Sequence, residues 1–162
     1  MQIVASILWQ RLDVPGHDAC RLEHSDAAWQ LDGAAVFRQA DGQIAQLHYR
    51  VRCDSAWHTQ WGTVRGWIGN RAVDLSAVHD AKGRWTLNDT PVADLAHCVD
   101  LDLGFTPATN LIALRRMHLQ PGEQSAAPAA FFDVQPGGRC SGLLAGLQVH
   151  SSQRDQVGGG RE

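Results

Sequence analysis

Asp100 and Asp102 stand two residues apart in the run Val99-Asp100-Leu101-Asp102-Leu103. In an extended strand both carboxylates project from one face, and Val99, Leu101 and Leu103 from the other. Neighbouring carboxylates can divide acid and base roles, because one ionised group raises the pKa of the next. Their Cα spacing of about 6 to 7 Å does not forbid glycoside chemistry, where carboxyl groups stand roughly 5 to 9.5 Å apart. A structural reading competes with this one. Arg115 and Arg116 follow a short loop, and antiparallel pairing of the two segments would bring an Arg within ion-pair reach of an Asp.

Tryptophans form the second chemical group, five of the six lying between Trp29 and Trp85. On one regular strand, Trp57, Thr59, Trp61, Thr63, Arg65 and Trp67 share a face. Indole rings interleaved with hydroxyls and a guanidinium can stack on sugars, or lie along acyl chains while bonding a head group. The usual burial of aromatic side chains favours these rings as the core of a small β-protein, and a bulge at Gly62 would split the stripe by reversing its parity. His48, Arg50 and Arg52 make a short basic stripe that reads as a solvated face.

Other chemistries lack their motifs. The sequence has no G-x-S-x-G, P-loop, G-x-G-x-x-G or H-E-x-x-H pattern. Its eight histidines never fall at i and i+2 or i+4, and Cys20, Cys53, Cys98 and Cys140 form no C-x-x-C pair. No cofactor or metal is therefore expected.

The elements that must position these residues follow from size and pattern. A chain of 162 residues suits one domain. Hydrophobic residues at 44% and charged residues at 19% fit a globular protein. A net charge of −3 gives no basic footprint for nucleic acid. The first residues lack a basic region and read as a poor signal peptide. No apolar run approaches the ~20 residues of a membrane helix. Reduced thiols and a cytoplasmic location are the expectation.

Strand signals dominate. Residues 43–54 alternate, with Ala45, Leu47, Tyr49, Val51 and Cys53 on one side and Gln46, His48, Arg50 and Arg52 on the other. Asp41-Gly42 before them marks a hairpin turn, and Gly69-Asn70 and residues 80–83 mark two more. Further strands are expected over 57–68, 71–79, 84–87, 92–103 and 111–119, with 104–110 as a loop. Residues 15–28 form the best, and a poor, helix candidate. The expectation is a single all-β domain, a meandering antiparallel sheet closed or rolled upon itself. Glycines and serines interrupt any period after residue 134, so 135–162 reads as a loosely ordered tail.

Several motifs together resemble a known family. They are Trp9-Gln10-Arg11-Leu12 with Pro15-Gly16-His17-Asp18, then Tyr49 to Asp54 with Trp57 and Thr59, then Gly66-Trp67-Ile68-Gly69. The long block from Val99 through Gly104-Phe105-Thr106-Pro107 to Asn110-Leu111, with Arg115-Arg116, completes the match. Over about residues 3–132 their order resembles the bacterial glycolipid-binding family. The resemblance implies a spiral β-roll or half-barrel, similar in outline to bacterial lipoprotein carriers. It also implies a binding role for glycolipid-like ligands. The family's closing strands have no likeness after residue 134.

The first expectation is thus a non-enzymatic protein holding a glycolipid or other amphiphile in an apolar groove. Trp9, Trp57, Trp61 and Trp67 would line or rim that groove, and Arg11, Arg65, Arg115 or Arg116 would meet the head group. Asp100, Asp102 and Asn110 complete the candidate set. The alternatives are a carbohydrate-active enzyme using Asp100 and Asp102, or an interaction module whose exposed sheet edge pairs with another chain.

Overall fold

The computed structural model describes residues 1–134, and residues 139–148 as backbone. Strands β1 (Gln2–Gln10), β2 (Gly16–Ser25), β3 (Ala28–Arg38) and β4 (Ile44–Asp54) are followed by β5 (Thr59–Ile68) and β6 (Arg71–His79). Short strands β7 (Trp85–Leu87), β8 (Thr90–Val92) and β9 (Asp100–Asp102) precede a helix, α1 (Asn110–Arg116). Strands β10 (Gln124–Asp133) and β11 (Arg139–Gln148) complete the described chain.

Strands β1 to β8 lie in chain order, each antiparallel to the next, in one sheet that does not close. This is the all-β meander expected from the turn spacing. Gly42 closes the β3–β4 hairpin with φ +87°, a conformation side chains rarely adopt, and Asp41 Oδ1 accepts the Gln43 N–H at 3.0 Å. At the β6–β7 turn Asp80 Oδ1 accepts the N–H groups of Lys82 and Arg84, both at 2.9 Å. The alternation in β4 is realised: Ala45, Leu47, Tyr49, Val51 and Cys53 are all buried.

A second sheet, ordered β11-β10-β9, covers part of the inner face of the first. There β9 runs parallel to β10, Asp100 opposite Ala129, which the all-antiparallel expectation did not include. Leu101, Leu103, Phe105, Ile112, Ala130 and Phe132 form one core with Leu47, Val51 and Val64 of the large sheet. The centre of the roll is therefore filled, and any apolar groove must lie beside this core rather than through it. No helix among the described residues is long and apolar enough to cross a membrane.

Four element assignments differ from expectation. Residues 15–28 hold β2 rather than a helix: Asp18 and Cys20 face inward at period two, and a carboxylate on the apolar side disguises the alternation. Residues 111–119 hold α1 rather than a strand, since Leu, Ala and Arg form helix readily and Leu111 to Leu114 is an unbroken apolar run without alternation. The expected strand over 92–103 is broken after Val92. Asp94 takes φ +62°, and the following turn buries Leu95 and Cys98, whose carbonyl accepts the Trp85 indole N–H at 2.9 Å. Finally, Arg139–Gln148 of the expected tail pairs antiparallel with β10 along its length. Residues 135–138 and 149–162, where the rest of that expectation falls, lie outside the described residues.

Candidate functional site

Two open compartments meet where β1 passes the loop between β9 and α1. Ala5, Ile7 and Trp9 of β1 border, with Leu22, Pro107 and Leu111, an apolar groove of about 320 Å³. Trp9 and Pro107 also border a polar cleft of about 460 Å³, walled by Gln10, Arg11, Asp13, Asp18, Asp102 and Asn110. Phe105 and Phe131 add aromatic surface to the cleft.

The loop after Asp102 builds this junction. Asp102 Oδ1 accepts the Gly104 N–H at 2.8 Å, and Gly104 turns the chain with φ +66°. That turn sends Phe105 into the core, its ring edge-on to Tyr49 at 5.8 Å and stacked near Phe37 at 6.3 Å. Thr106 then donates its hydroxyl to the buried carboxylate of Asp18 and accepts the Ala108 N–H at 3.1 Å. Tyr49 also donates to Asp18, 3.1 Å from each oxygen. Burial pushes the Asp18 carboxyl above the usual range, against the pull of these two hydroxyls and of Arg11.

Arg11 is engaged on every side. Its Nε and Nη2 donate to the two oxygens of Asp13 at 3.0 and 2.7 Å, and Nη1 donates to the Phe105 carbonyl at 3.3 Å. Its guanidinium carbon lies 4.6 Å from the Phe37 ring centre. The bonds from Arg11 hold Asp13 at about 2. The cleft thus combines carboxylates, amides and aromatic plates with one cation already paired. Burial raises the thiols of Cys20 and Cys98, and that of Cys53 to about 12, so none of the three is an activated nucleophile. Among the described residues no three side chains cluster as metal ligands.

Of the residues singled out from sequence, Trp9, Arg11, Asp102, Asn110 and Arg115 border these compartments. Asp100 and Arg116 bind each other instead: Nε and Nη2 of Arg116 donate to the two Asp100 oxygens at 2.9 and 2.6 Å. This is the anticipated ion pair, with the Arg on a helix rather than an antiparallel strand. Trp57, Trp61, Arg65 and Trp67 border neither compartment. Arg52 pairs with Trp61 and Cys53 with Thr59, so Gln60 is bulged. The parity of β5 reverses there, not at Gly62: Thr59 is buried, while Arg65 and Trp67 turn outward. Trp57 takes φ +68° and stacks on Trp29, with ring centres 4.5 Å apart. Trp67 donates its indole N–H to Gln46 at 3.1 Å, and Arg65 pairs with Asp74 at 3.1 Å.

Asp18, Phe105, Thr106 and Phe131 also line the cleft; the first three were noted as motif residues and none as a candidate binding residue. The signal for Asp18 is its place between Gly16 and Cys20 on the same parity as Leu22, a carboxylate where an apolar side chain is expected.

Comparisons with known proteins bear on this site as a whole. A family model described as "Putative glycolipid-binding" matches residues 6–137. A crystal structure of a DUF1089-family protein from Pseudomonas aeruginosa is similar in fold, with a TM-score of 0.68 at 21% identity, over 88% of this chain and 76% of that one. A comparison with curated proteins finds no match.

Proposed function

The chain belongs to this glycolipid-binding family, and from that premise we propose that it holds a glycolipid-type amphiphile without turning it over. The observation that carries the reading is the shared border at Trp9 and Pro107: an apolar groove lies on one side and a polar cleft on the other. An amphiphile has the same two halves. Its acyl part would lie along Ala5, Ile7, Leu22 and Leu111, each buried methylene contributing about 0.8 kcal/mol. Its head group would enter the cleft, where Asp102 and Asn110 can bond hydroxyls and Trp9 can stack on a sugar face.

The charge of the cleft favours a neutral sugar over a phosphate. Asp13, Asp18 and Asp102 line it, and Arg11 is already bound to Asp13. Arg115 lies on the border of the apolar groove, as a rim cation rather than a member of the cleft. A binding role is also supported by Asp100, both of whose oxygens are held by Arg116 rather than turned to either compartment. The free, buried thiols of Cys20, Cys53 and Cys98 support a reducing, cytoplasmic compartment.

The test is co-sedimentation of the protein with vesicles of monogalactosyldiacylglycerol, compared with vesicles of phosphatidylglycerol, followed by native mass spectrometry. Preferential binding of the galactolipid is expected, reduced at least tenfold by Trp9→Ala and unchanged by Trp57→Ala. No binding to either vesicle, or equal loss from both variants, would overturn the reading.

A further inference from the structure

Among the described residues strand β1 is an edge of the large sheet, and it is treated unlike the edge opposite. The far edge, β8, is three residues long and carries Pro91, the usual protection of a sheet border. Strand β1 has nine residues, from Gln2 to Gln10, with no proline and no charged side chain. Its apolar side chains are open on both faces: Ile3 is 55% exposed, Val4 55%, Ile7 48% and Leu8 68%. A long, uncharged apolar edge left in water is an aggregation site unless something pairs with it.

The occupant must meet two needs at once. It must cover side chains on both faces of the strand, and it must satisfy the unpaired backbone groups along the edge. A lipid surface can do the first but not the second, because hydrocarbon offers no hydrogen-bond partners. Another strand does both. We propose that the partner is a second copy of this chain, joined antiparallel through β1 to β1.

Self-pairing is chemically consistent. Residues 2–10 carry no charge, so the strand meets its copy without like-charge contact. Antiparallel joining of two identical edges sets the two-fold axis perpendicular to the sheet, so both concave faces open on the same side. Over Ala5 to Gln10 the register with β2 is regular, and Ala5, Ile7 and Trp9 share the inner face. Those three residues end the apolar groove on its β1 side. In the dimer the partner's inner face continues that wall, and the two grooves become one surface across the axis.

The experiment is sedimentation equilibrium of the full chain over a wide concentration range, with hydrogen exchange of the β1 amides. Expected are a mass twice the 17.7 kDa of the chain and protection of the β1 amides that face away from β2. Leu8→Lys places a charge on the outer side of the edge and is expected to yield a folded monomer in which the β1 amides facing away from β2 exchange fast. Ser6→Lys does the same nearer the centre of the strand and serves if Leu8→Lys does not fold. A wild-type monomer at every concentration, with or without protected β1 amides, overturns the proposal, as does a dimer unaffected by both lysines. Lipid uptake by such a monomer leaves the binding reading intact and refutes the interface alone.

Discussion

Arg116 grips Asp100 at both carboxylate oxygens, and this one contact ties the only helix among the described residues to the shortest strand of the inner sheet. Asp100 is almost fully buried, and its partner's side chain is one-fifth exposed. A charge so placed is tolerated because a fork of two bonds replaces its water.

Removal of the guanidinium therefore leaves an uncompensated buried carboxylate. Arg116→Ala is expected to cost about 3 to 5 kcal/mol in urea unfolding, whereas Arg115→Ala stays within about 0.5 kcal/mol. The double variant Asp100→Asn with Arg116→Met should recover most of the loss. Equal, small effects of both arginine variants would show that the pair contributes nothing net.

Asp18 gives the protein a pH dependence of opposite sign to most carboxylates. Burial raises its folded-state pKa, so the folded protein holds that proton more tightly than the unfolded chain does. Its contribution to stability is full below the ordinary Asp value of about 3.9 and is lost as pH rises through the folded value. Asp13 and Asp80, held at about 2 by Arg11 and by the Arg84 backbone N–H and side chain, lose their contributions as pH falls. The difference between wild-type and Asp18→Asn stability curves isolates the Asp18 step. It should fall with rising pH above about 3.9 and then flatten; a flat difference throughout contradicts the assignment. Asp18→Ala leaves the Tyr49 hydroxyl without its acceptor and is expected to cost about 1 to 3 kcal/mol.

Gly33 lies directly under the Tyr49 ring, and a methyl group there would overlap it. Gly33→Ala is expected to destabilise by about 1 to 3 kcal/mol by displacing the ring and, with it, the hydroxyl on Asp18. Crystallography of the variant should find Tyr49 shifted; an unmoved ring and unchanged stability would contradict the contact.

The tryptophans divide by position. Trp85 is 1% exposed, stacks on His79 and donates to Cys98, so Trp85→Ala should cost about 3 to 5 kcal/mol. Trp67 is 40% exposed on the outer face, and Trp67→Ala should cost about 1 kcal/mol or less by thermal melting. Comparable losses would place Trp67 in the core.

The meander was legible because hairpin chemistry is local. Asp41-Gly42 and the alternation of residues 44–54 contain, within a few positions, everything that sets their register. The inner layer was not legible because long-range contacts decide it. Nothing near Asp100 marks its strand as parallel to one near residue 130, and the reach of Arg116 from α1 back to Asp100 is likewise set by packing rather than by neighbouring residues. The border of the two compartments was half legible for the same reason. Asp102 stood out by type and Trp9, Arg11 and Asn110 by their motifs, while Asp18, though within one of those motifs, was hidden as a candidate by its misread element. The Trp57 to Trp67 stripe failed at one bulged residue, Gln60, whose effect on parity cannot be counted from spacing.

Among the described residues, those that cover the inner face of the meander come later in the chain, from Leu95 to Val134. On the ribosome, the first eight strands can pair as neighbouring hairpins long before their cover emerges. For that interval Leu47, Tyr49, Val51 and Val64 line a bare, sticky sheet, so a chaperone holding the nascent chain would be needed most just before Leu101 and Phe105 arrive. Truncation shortly after β8 should accordingly yield a chain that precipitates, even though its strands are all present.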